Sequence, residues 1–123
     1  MILVDTSIWV DHLRTGEQTL AALLDRGRIL IYHFVLEELS LGNLARRRLV
    51  LDALADLPRA VTASDGEVLK FIEDANLHGT GIGYIDAHLL AAVRLTPGAA
   101  LWTRDRRLEA SAETMGLAAT GDL

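Results

Sequence analysis

The stretch Ile2-Leu3-Val4-Asp5-Thr6-Ser7-Ile8-Trp9 (residues 2–9) decides the fold. Its first three residues are apolar without alternation, which is typical of a short strand buried on both faces. Thr6 and Ser7 are favourable helix N-caps, and the apolar residues after them recur at helical spacing. Asp5 therefore lies where a buried strand turns into a helix, the edge at which open α/β sheets bind ligands. Alternatively, Asp5 is only a capping acid that complements the helix dipole.

The composition is that of one ordinary globular domain. Half of the 123 residues are hydrophobic and 24% are charged, so we expect a single domain over residues 1–123. The absence of cysteine excludes a disulfide framework, a zinc ribbon and a thiol nucleophile. Apolar runs stay shorter than about 18 residues, and no basic residue precedes the first one, so we expect a cytoplasmic protein without membrane span or signal peptide. The net charge of −5 argues against a general nucleic-acid coat.

Strands alternate with helices along the rest of the chain. Further strands are predicted at residues 28–32, 61–63 and 99–103, with an edge strand at 117–119. Apolar spacing and Gly or Pro stop signals predict helices near residues 8–13, 20–24, 34–41, 46–57, 68–72, 84–95 and 104–115. Ser64 and Glu67 form a predicted capping box. The helix at 46–57 should bury one face, made of Leu49, Val50, Ala53, Leu54 and Leu57. This order predicts an α/β fold, a three-layer α/β/α domain with a central, mainly parallel sheet.

The predicted topology gathers acids that are distant in sequence. Right-handed crossovers place every strand-to-helix turn at the same edge of the sheet. Asp5 follows the first strand, Glu38 lies in the helix after the second, and Asp105 follows the strand at 99–103; Asp86 begins a helix after a loop. Four acids at one edge repel one another and raise one another's pKa, a cost that a bound divalent cation removes. Ligands that are all oxygen suit Mg²⁺ or Mn²⁺.

Other interpretations of these residues stay open at this point. Asp86 could be a helix-start acid and Asp105 an N-cap. Glu37 and Glu38 are adjacent, so at most one of them points into the edge. The four histidines show no metal-ligand spacing. The loop at residues 79–83 lacks the preceding strand and the Gly-Lys-Ser/Thr ending of a phosphate loop, so we reject that function for it.

Four segments resemble the PIN-domain family, and the VapC-type toxins of bacterial toxin–antitoxin pairs most closely. They are Val4-Asp5-Thr6-Ser7-Ile8-Trp9, Glu38-Leu39-Ser40-Leu41-Gly42, Asp86-Ala87-His88-Leu89-Leu90-Ala91-Ala92 and Trp102-Thr103-Arg104-Asp105. Each is moderately specific, but in this order they span essentially the whole chain. After Asp105 the family often has an aromatic residue, where this chain has Arg106-Arg107-Leu108. That departure affects packing and leaves the acids in place.

The resemblance implies an endoribonuclease that depends on Mg²⁺ or Mn²⁺. The family's four acids carry over to Asp5, Glu38, Asp86 and Asp105. Thr103 matches a hydroxyl position that supports the site, and we place Ser7 with it. The resemblance also implies an RNA substrate, a homodimer, and a cognate antitoxin that neutralises the protein in a hetero-oligomer.

The chemistry expected from such a site is hydrolysis by metal-activated water. A carboxylate-held ion lowers the pKa of bound water and stabilises the charge that develops on phosphate, so in-line attack leaves a 5′-phosphate and a 3′-hydroxyl. No His or Lys base is needed. We expect Asp5 and Asp86 to be the main direct ligands, with Glu38 and Asp105 acting on a second ion or through water.

Arginines are the predicted contacts to RNA phosphates, because the guanidinium fork binds two oxygens at once. The first cluster is Arg104, Arg106 and Arg107, and the second is at residues 46–48. Alternatively, these side chains are solvated or paired with acids such as Asp52 and Glu109. Trp9 and Trp102 are predicted to lie in the core. An apolar surface on the helix at 34–41, formed by Phe34, Leu36, Leu39 and Leu41, is the predicted groove for an antitoxin helix.

Two other function classes remain. The first is a catalytically silent PIN module that binds RNA or protein without cleavage, against which the complete acid set argues. The second is a phosphoacceptor signalling domain, which also has an acid after its first strand. That class needs a paired acid and a lysine after a late strand, whereas the only lysine here is Lys70, in the middle of the chain.

Overall fold

Three short parallel strands form the sheet of the computed structural model, which describes residues 1–119 and 123. They are β1 (Ile2–Val4), β2 (Ile29–Leu30) and β3 (Ala100–Trp102), in the order β2-β1-β3. β1 is central, and all three of its residues are fully buried, as its unbroken apolar run predicts. In β1, Ile2 pairs with Ile29 on one side, and Val4 pairs with Trp102 on the other.

Seven helices in the described part of the chain surround this sheet. They are α1 (Thr6–Thr15), α2 (Gln18–Asp25), α3 (His33–Ser40), α4 (Arg47–Ala55), α5 (Asp65–Asp74), α6 (Tyr84–Leu95) and α7 (Arg106–Thr114). Every predicted helix is present, and the predicted three-layer α/β/α fold with a parallel sheet is confirmed. No helix among the described residues combines the length and the apolar character needed to cross a membrane.

The prediction of a strand at residues 61–63 is wrong. The chain makes one parallel bridge here, between Ile31 and Arg59, and then leaves the ladder. The N–H of Val61 donates to Oγ1 of Thr96, and that of Ala63 donates to Oη of Tyr32. Because side-chain oxygens take the amides that a ladder would use, the segment forms no strand.

The other edge of the sheet is also shorter than predicted. The edge strand expected at residues 117–119 is reduced to one parallel bridge, between Leu101 and Ala118. The neighbouring amides still close the edge, because Leu101 N–H donates to Leu117 and Ala119 N–H donates to Leu101.

Helix α4 buries only part of its predicted apolar face. Leu54 is buried and Val50 and Leu57 are half-buried, but Leu49 is 63% exposed and Ala53 is exposed too. α4 packs mainly on α3, and this contact covers only part of its apolar stripe. The predicted five-residue buried face is therefore wrong for Leu49 and Ala53.

The core is anchored on α6, in which seven consecutive residues from Ala87 to Val93 are buried. Replacing the fully buried Leu90 with alanine should cost about 3 kcal/mol of unfolding free energy, because a cavity remains where the side chain was. The matched control is Leu69→Ala on α5, where the leucine is 63% exposed and the loss should stay within about 0.5 kcal/mol. Urea denaturation measures both; equal losses would contradict this account of the core.

Candidate acidic site

An open cleft of about 390 Å³ lies at the carboxyl edge of the sheet. It is lined by the turns after β1 and β3, by the starts of α1 and α6, and by one residue of α3: Asp5, Thr6, Ser7, Glu38, Ile85, Asp86, Arg104 and Asp105. The structure therefore brings all four predicted acids to one place, although they come from different elements.

The position of Asp5 follows from the pairing of β1 with β3. Val4 lies opposite Trp102, and the N–H of Asp5 donates to the carbonyl of Trp102 at 2.9 Å. The next residue of that turn, Thr103, is buried and donates its hydroxyl to Oδ2 of Asp5 at 2.7 Å. The same hydroxyl accepts the N–H of Asp105 at 3.1 Å. One threonine thus links the two acids that end β1 and β3.

Asp5 and Asp105 are also helix caps. Oδ1 of Asp5 accepts the N–H of Thr6 at 2.8 Å, so Asp5 is the N-cap of α1. The prediction that Thr6 or Ser7 caps this helix is wrong. Oδ1 of Asp105 accepts two N–H groups at the start of α7, those of Arg107 and Leu108. Capping and membership of the cleft are compatible, because a carboxylate has two oxygens and several lone pairs.

The remaining two acids are oriented by one contact each. Oε1 of Glu38 accepts the hydroxyl of Thr6 at 2.8 Å, and Oδ2 of Asp86 accepts the N–H of Gly83 at 3.3 Å. Glu37 points elsewhere and contacts Nδ1 of His33 at 2.9 Å. The hydrogen bonds of the described residues engage only one oxygen of Glu38 and one of Asp86, so each keeps an oxygen for a ligand.

The acids share one electrostatic environment. Burial raises the pKa of Asp86 above its ordinary value, and the N–H of Gly83 opposes that shift. The negative charges of Asp5, Asp105 and Glu38 raise the pKa of Asp86 further. Removing one of these negative charges, or neutralising them with a cation, would therefore relieve the repulsion and stabilise the cleft.

The donor set fits a hydrated, hard divalent cation. All candidate ligands are carboxylate oxygens, the type that Mg²⁺ and Mn²⁺ prefer. Within residues 1–119 and 123, no three His, Cys, Asp or Glu side chains stand close enough together to hold one ion. The cleft therefore suits an ion that keeps several waters and contacts one or two carboxylates, and it does not suit a compact cage made only of protein ligands.

The arginines of the first predicted cluster differ in their contacts. Arg104 lines the cleft, but its guanidinium forms ion pairs with Asp11, at 2.8 Å, and with Glu17. These partners raise the pKa of Arg104, the Glu17 hydrogen bond most. Arg106 and Arg107 are exposed, and no ion pair joins either to another described residue. Arg104 is thus the least free of the three to contact RNA.

Thr6 lines the cleft but was not predicted as a site residue. Its position directly after Asp5 was the sequence feature that could have indicated it. Ser7, chosen instead, lines the cleft but is exposed. Trp9 and Trp102 lie in the core, as predicted. The apolar surface predicted on α3 is largely wrong, since Leu39 is buried, Phe34 and Leu36 are half-buried and only Leu41 is well exposed.

A buried polar network beside the site was also missed. Tyr32 ends the run after β2, and its hydroxyl accepts the N–H of Ala63 and shares a hydrogen bond of 2.9 Å with Nδ1 of His88. The other ring nitrogen of His88, Nε2, faces Oδ1 of Asp65 at 3.3 Å. The only sequence signal was a histidine inside the apolar run of α6. The network joins the start of α3 to α6, the helices that carry Glu38 and Asp86.

Comparisons with known proteins agree with this architecture. Residues 2–113 match the family model of the PIN domain. The chain is 44% identical over 118 residues to the protein named Ribonuclease VapC32 in each of two strains of Mycobacterium tuberculosis. Each match covers 96% of this chain and 95% of the relative.

The raised pKa of Asp86 predicts a pH-dependent stability difference. Native Asp86 keeps its proton to a higher pH than the unfolded residue, so the native state binds more protons between the two pKa values. Its contribution to stability therefore falls as pH rises through that window and stays unfavourable above it. Asp86→Asn removes the charge and keeps an oxygen for the N–H of Gly83. Without divalent cations, it should melt at a higher temperature than the unsubstituted protein at neutral pH.

This difference should disappear below the ordinary pKa of aspartate, where both proteins carry an uncharged side chain. Asp52→Asn makes the same chemical change at an exposed position on α4 and serves as the control in thermal melts at both pH values. A lower melting temperature for Asp86→Asn at neutral pH would show that its charge does not destabilise the fold.

Proposed function

The chain belongs to the PIN-domain family, in its VapC-type branch, and we propose that it is a metal-dependent endoribonuclease that acts as the toxin of a toxin–antitoxin pair. One observation carries the proposal: four acids from separate elements line one cleft, where burial and the charges of the other three raise the pKa of Asp86. The relatives are named as a ribonuclease, which supports RNA as the substrate. The proposed products are a 5′-phosphate and a 3′-hydroxyl.

Asp5 and Asp86 are the proposed direct ligands of Mg²⁺ or Mn²⁺, with Glu38 and Asp105 acting on a second ion or through water. Such an ion supplies an acidic bound water and charge stabilisation at the phosphate. Thr103 supports this assignment, because its hydroxyl holds Asp5 and receives the amide of Asp105. Among the described residues that line the cleft there is neither His nor Lys, so an imidazole or amine base has no candidate there.

A cognate antitoxin is the proposed protein partner, and a homodimer the proposed assembly. An apolar groove of about 220 Å³ runs between α1, α3 and the start of α4. Val10, Leu13, Leu39 and Val50 give it apolar walls, and Glu38 lies in both this groove and the acidic cleft. An amphipathic antitoxin helix in the groove would place a basic side chain next to Glu38.

The alternative is a PIN module that binds RNA or protein without cleaving it. The absence, in the described residues, of three acids within reach of one ion is the observation that favours it. A metal-dependent cleavage assay on total RNA decides between the two. The phosphoacceptor function is not favoured, since Lys70 pairs with Asp74 on α5 and does not line the cleft.

Replacing Asp5 with asparagine should lower RNA cleavage at least about 100-fold, because a direct ligand loses its charge. The fold should persist, since asparagine is also a good N-cap for α1. Asp52→Asn is the matched control and should keep full activity. The assay measures cleavage of total RNA with Mg²⁺ or Mn²⁺ and with a chelator, which should abolish activity. Undiminished metal-dependent cleavage by Asp5→Asn would remove Asp5 from the mechanism.

Replacing Thr103 with valine should weaken Mn²⁺ binding and lower the cleavage rate about tenfold, because Asp5 loses the hydroxyl that orients it. Thr103→Ser keeps the hydroxyl and should restore most of both. Calorimetry gives the Mn²⁺ affinity, and a thermal melt checks that both variants fold. If valine and serine variants bind Mn²⁺ equally well, the hydroxyl does not position Asp5.

A further inference from the structure

A second cleft lies beside the acidic site and shares no lining residue with it. It has a volume of about 480 Å³ and runs between α7 and the segment at residues 75–80. Its walls combine apolar side chains, such as Leu77 and Met115, with the hydroxyls of Thr80 and Ser111. Arg106 and Arg107 lie at the end of the cleft where α7 begins. We call this the arginine cleft.

The side chain of Arg107 has a defined seat on the backbone of Gly81. A Cβ atom at residue 81 would lie 2.7 Å from Nη1 and 2.9 Å from Cδ of Arg107. The φ of Gly81 is +85°, a conformation that other residues adopt only with strain. Glycine at this position therefore permits both the turn and the close approach of the guanidinium.

The contact between Arg107 and Gly81 joins the segment that carries Asp105 to the segment that carries Asp86. The N–H of Arg107 donates to Oδ1 of Asp105. Gly81 is two residues before Gly83, whose N–H donates to Asp86. The guanidinium of Arg107 thus lies against the loop that precedes Asp86, whereas that of Arg104 is already paired with two acids.

We propose that Arg106 and Arg107 bind a phosphate of the RNA strand next to the phosphate that is cleaved, and that the arginine cleft takes the adjoining nucleotide. The proposal rests on the RNA substrate of the proposed function. A chain with net charge −5 and four acids in its cleft must offset the repulsion of a polyanion. Two arginines without described ion pairs supply that attraction, and their planar forks match phosphate oxygens. The mixed apolar and hydroxyl walls suit a base and a ribose.

The test is fluorescence anisotropy with a short, fluorescein-labelled, single-stranded RNA of mixed sequence. All proteins carry Asp5→Asn, so that the RNA stays intact. Adding Arg107→Gln or Arg106→Gln should weaken binding about tenfold at low salt, because a charged hydrogen-bonding partner of the phosphate is lost. The dependence of log affinity on log salt should become shallower by roughly 0.7 for each phosphate contact removed.

The matched control is Arg26→Gln, which changes net charge equally at the opposite edge of the sheet. Arg26 is exposed and precedes the amino end of β2. The proposal requires that this control keep its affinity and salt dependence. Equal losses in all three arginine variants would show a response to net charge alone and would overturn it, as would unchanged RNA binding by Arg107→Gln. Unchanged RNA binding by Arg107→Gln would mean that the arginine cleft, if it binds anything, binds a partner other than RNA.

Gly81→Ala tests the seat separately, because it displaces Arg107 without changing the charge. It should weaken RNA binding as much as Arg107→Gln, while a thermal melt reports any loss of folding. If Gly81→Ala does not fold, Arg107→Lys replaces it, since lysine keeps the charge and loses the fork. If whichever of these two variants is folded keeps full RNA affinity, the claim that the Arg107 guanidinium, held against Gly81, binds the phosphate is overturned.

The outcome is separable from that of the proposed function. Binding is measured on the Asp5→Asn proteins, whereas cleavage is measured on the unsubstituted chain. Absence of cleavage together with selective loss of RNA binding in the two variants would remove the nuclease and keep the phosphate site. RNA cleavage together with unchanged RNA binding in both arginine variants would keep the nuclease and remove the phosphate site.

Discussion

The parallel pairing of β1 with β3 is the constraint on which the rest of this structure depends. It sets Val4 opposite Trp102, so that Asp5 and Thr103 become neighbours although 98 residues separate them. Because parallel strands end at one edge, the turns that follow them open into the same cleft. The loop before α6 and the middle of α3 complete it with Asp86 and Glu38. A register shift of one residue would separate Asp5 from the hydroxyl that holds it.

Structural and chemical functions of the same carboxylates are combined in this cleft. Asp5 and Asp105 cap α1 and α7, and Asp86 accepts the N–H of Gly83 just before α6. A helix N-terminus stabilises negative charge, so each of these turns lowers part of the cost of gathering like charges. The pKa of Asp86 is still raised, by burial first and then by the charges of the other three acids, so part of that cost remains. The same residues therefore serve the fold and are also the proposed ligands of the cation.

Much of this arrangement could be predicted from sequence because its signals are local. The buried strand at residues 2–4, the Ser64 capping box and the helix at residues 84–95 each depend on nearby residues, and each formed as predicted. The failures depend on distant partners. Residues 61–63 have strand-forming composition, yet Thr96 and Tyr32 take their amides. Leu49 lies on an amphipathic helix that packs mainly on α3, yet its side chain stays 63% exposed.

The arginines show the same limit. Arg104, Arg106 and Arg107 are equivalent in a sequence pattern, but Asp11 and Glu17 pair with the first and Gly81 seats the third. Such side-chain partners come from across the fold, so spacing alone could not distinguish the three. The buried Tyr32–His88 hydrogen bond, which joins residues 56 positions apart, escaped prediction for the same reason.

The order of the strands has a consequence for the protein during its synthesis. The ribosome makes β1 first and β3 last, although the two are neighbours in the sheet. Contacts of such long sequence separation form late in folding, because closing the intervening chain costs entropy. A nascent chain that has not yet reached residue 103 thus lacks both Thr103 and Asp105, and the acids already made have no complete cleft to enter. Any activity that needs all four acids is therefore withheld until residue 105 has been made.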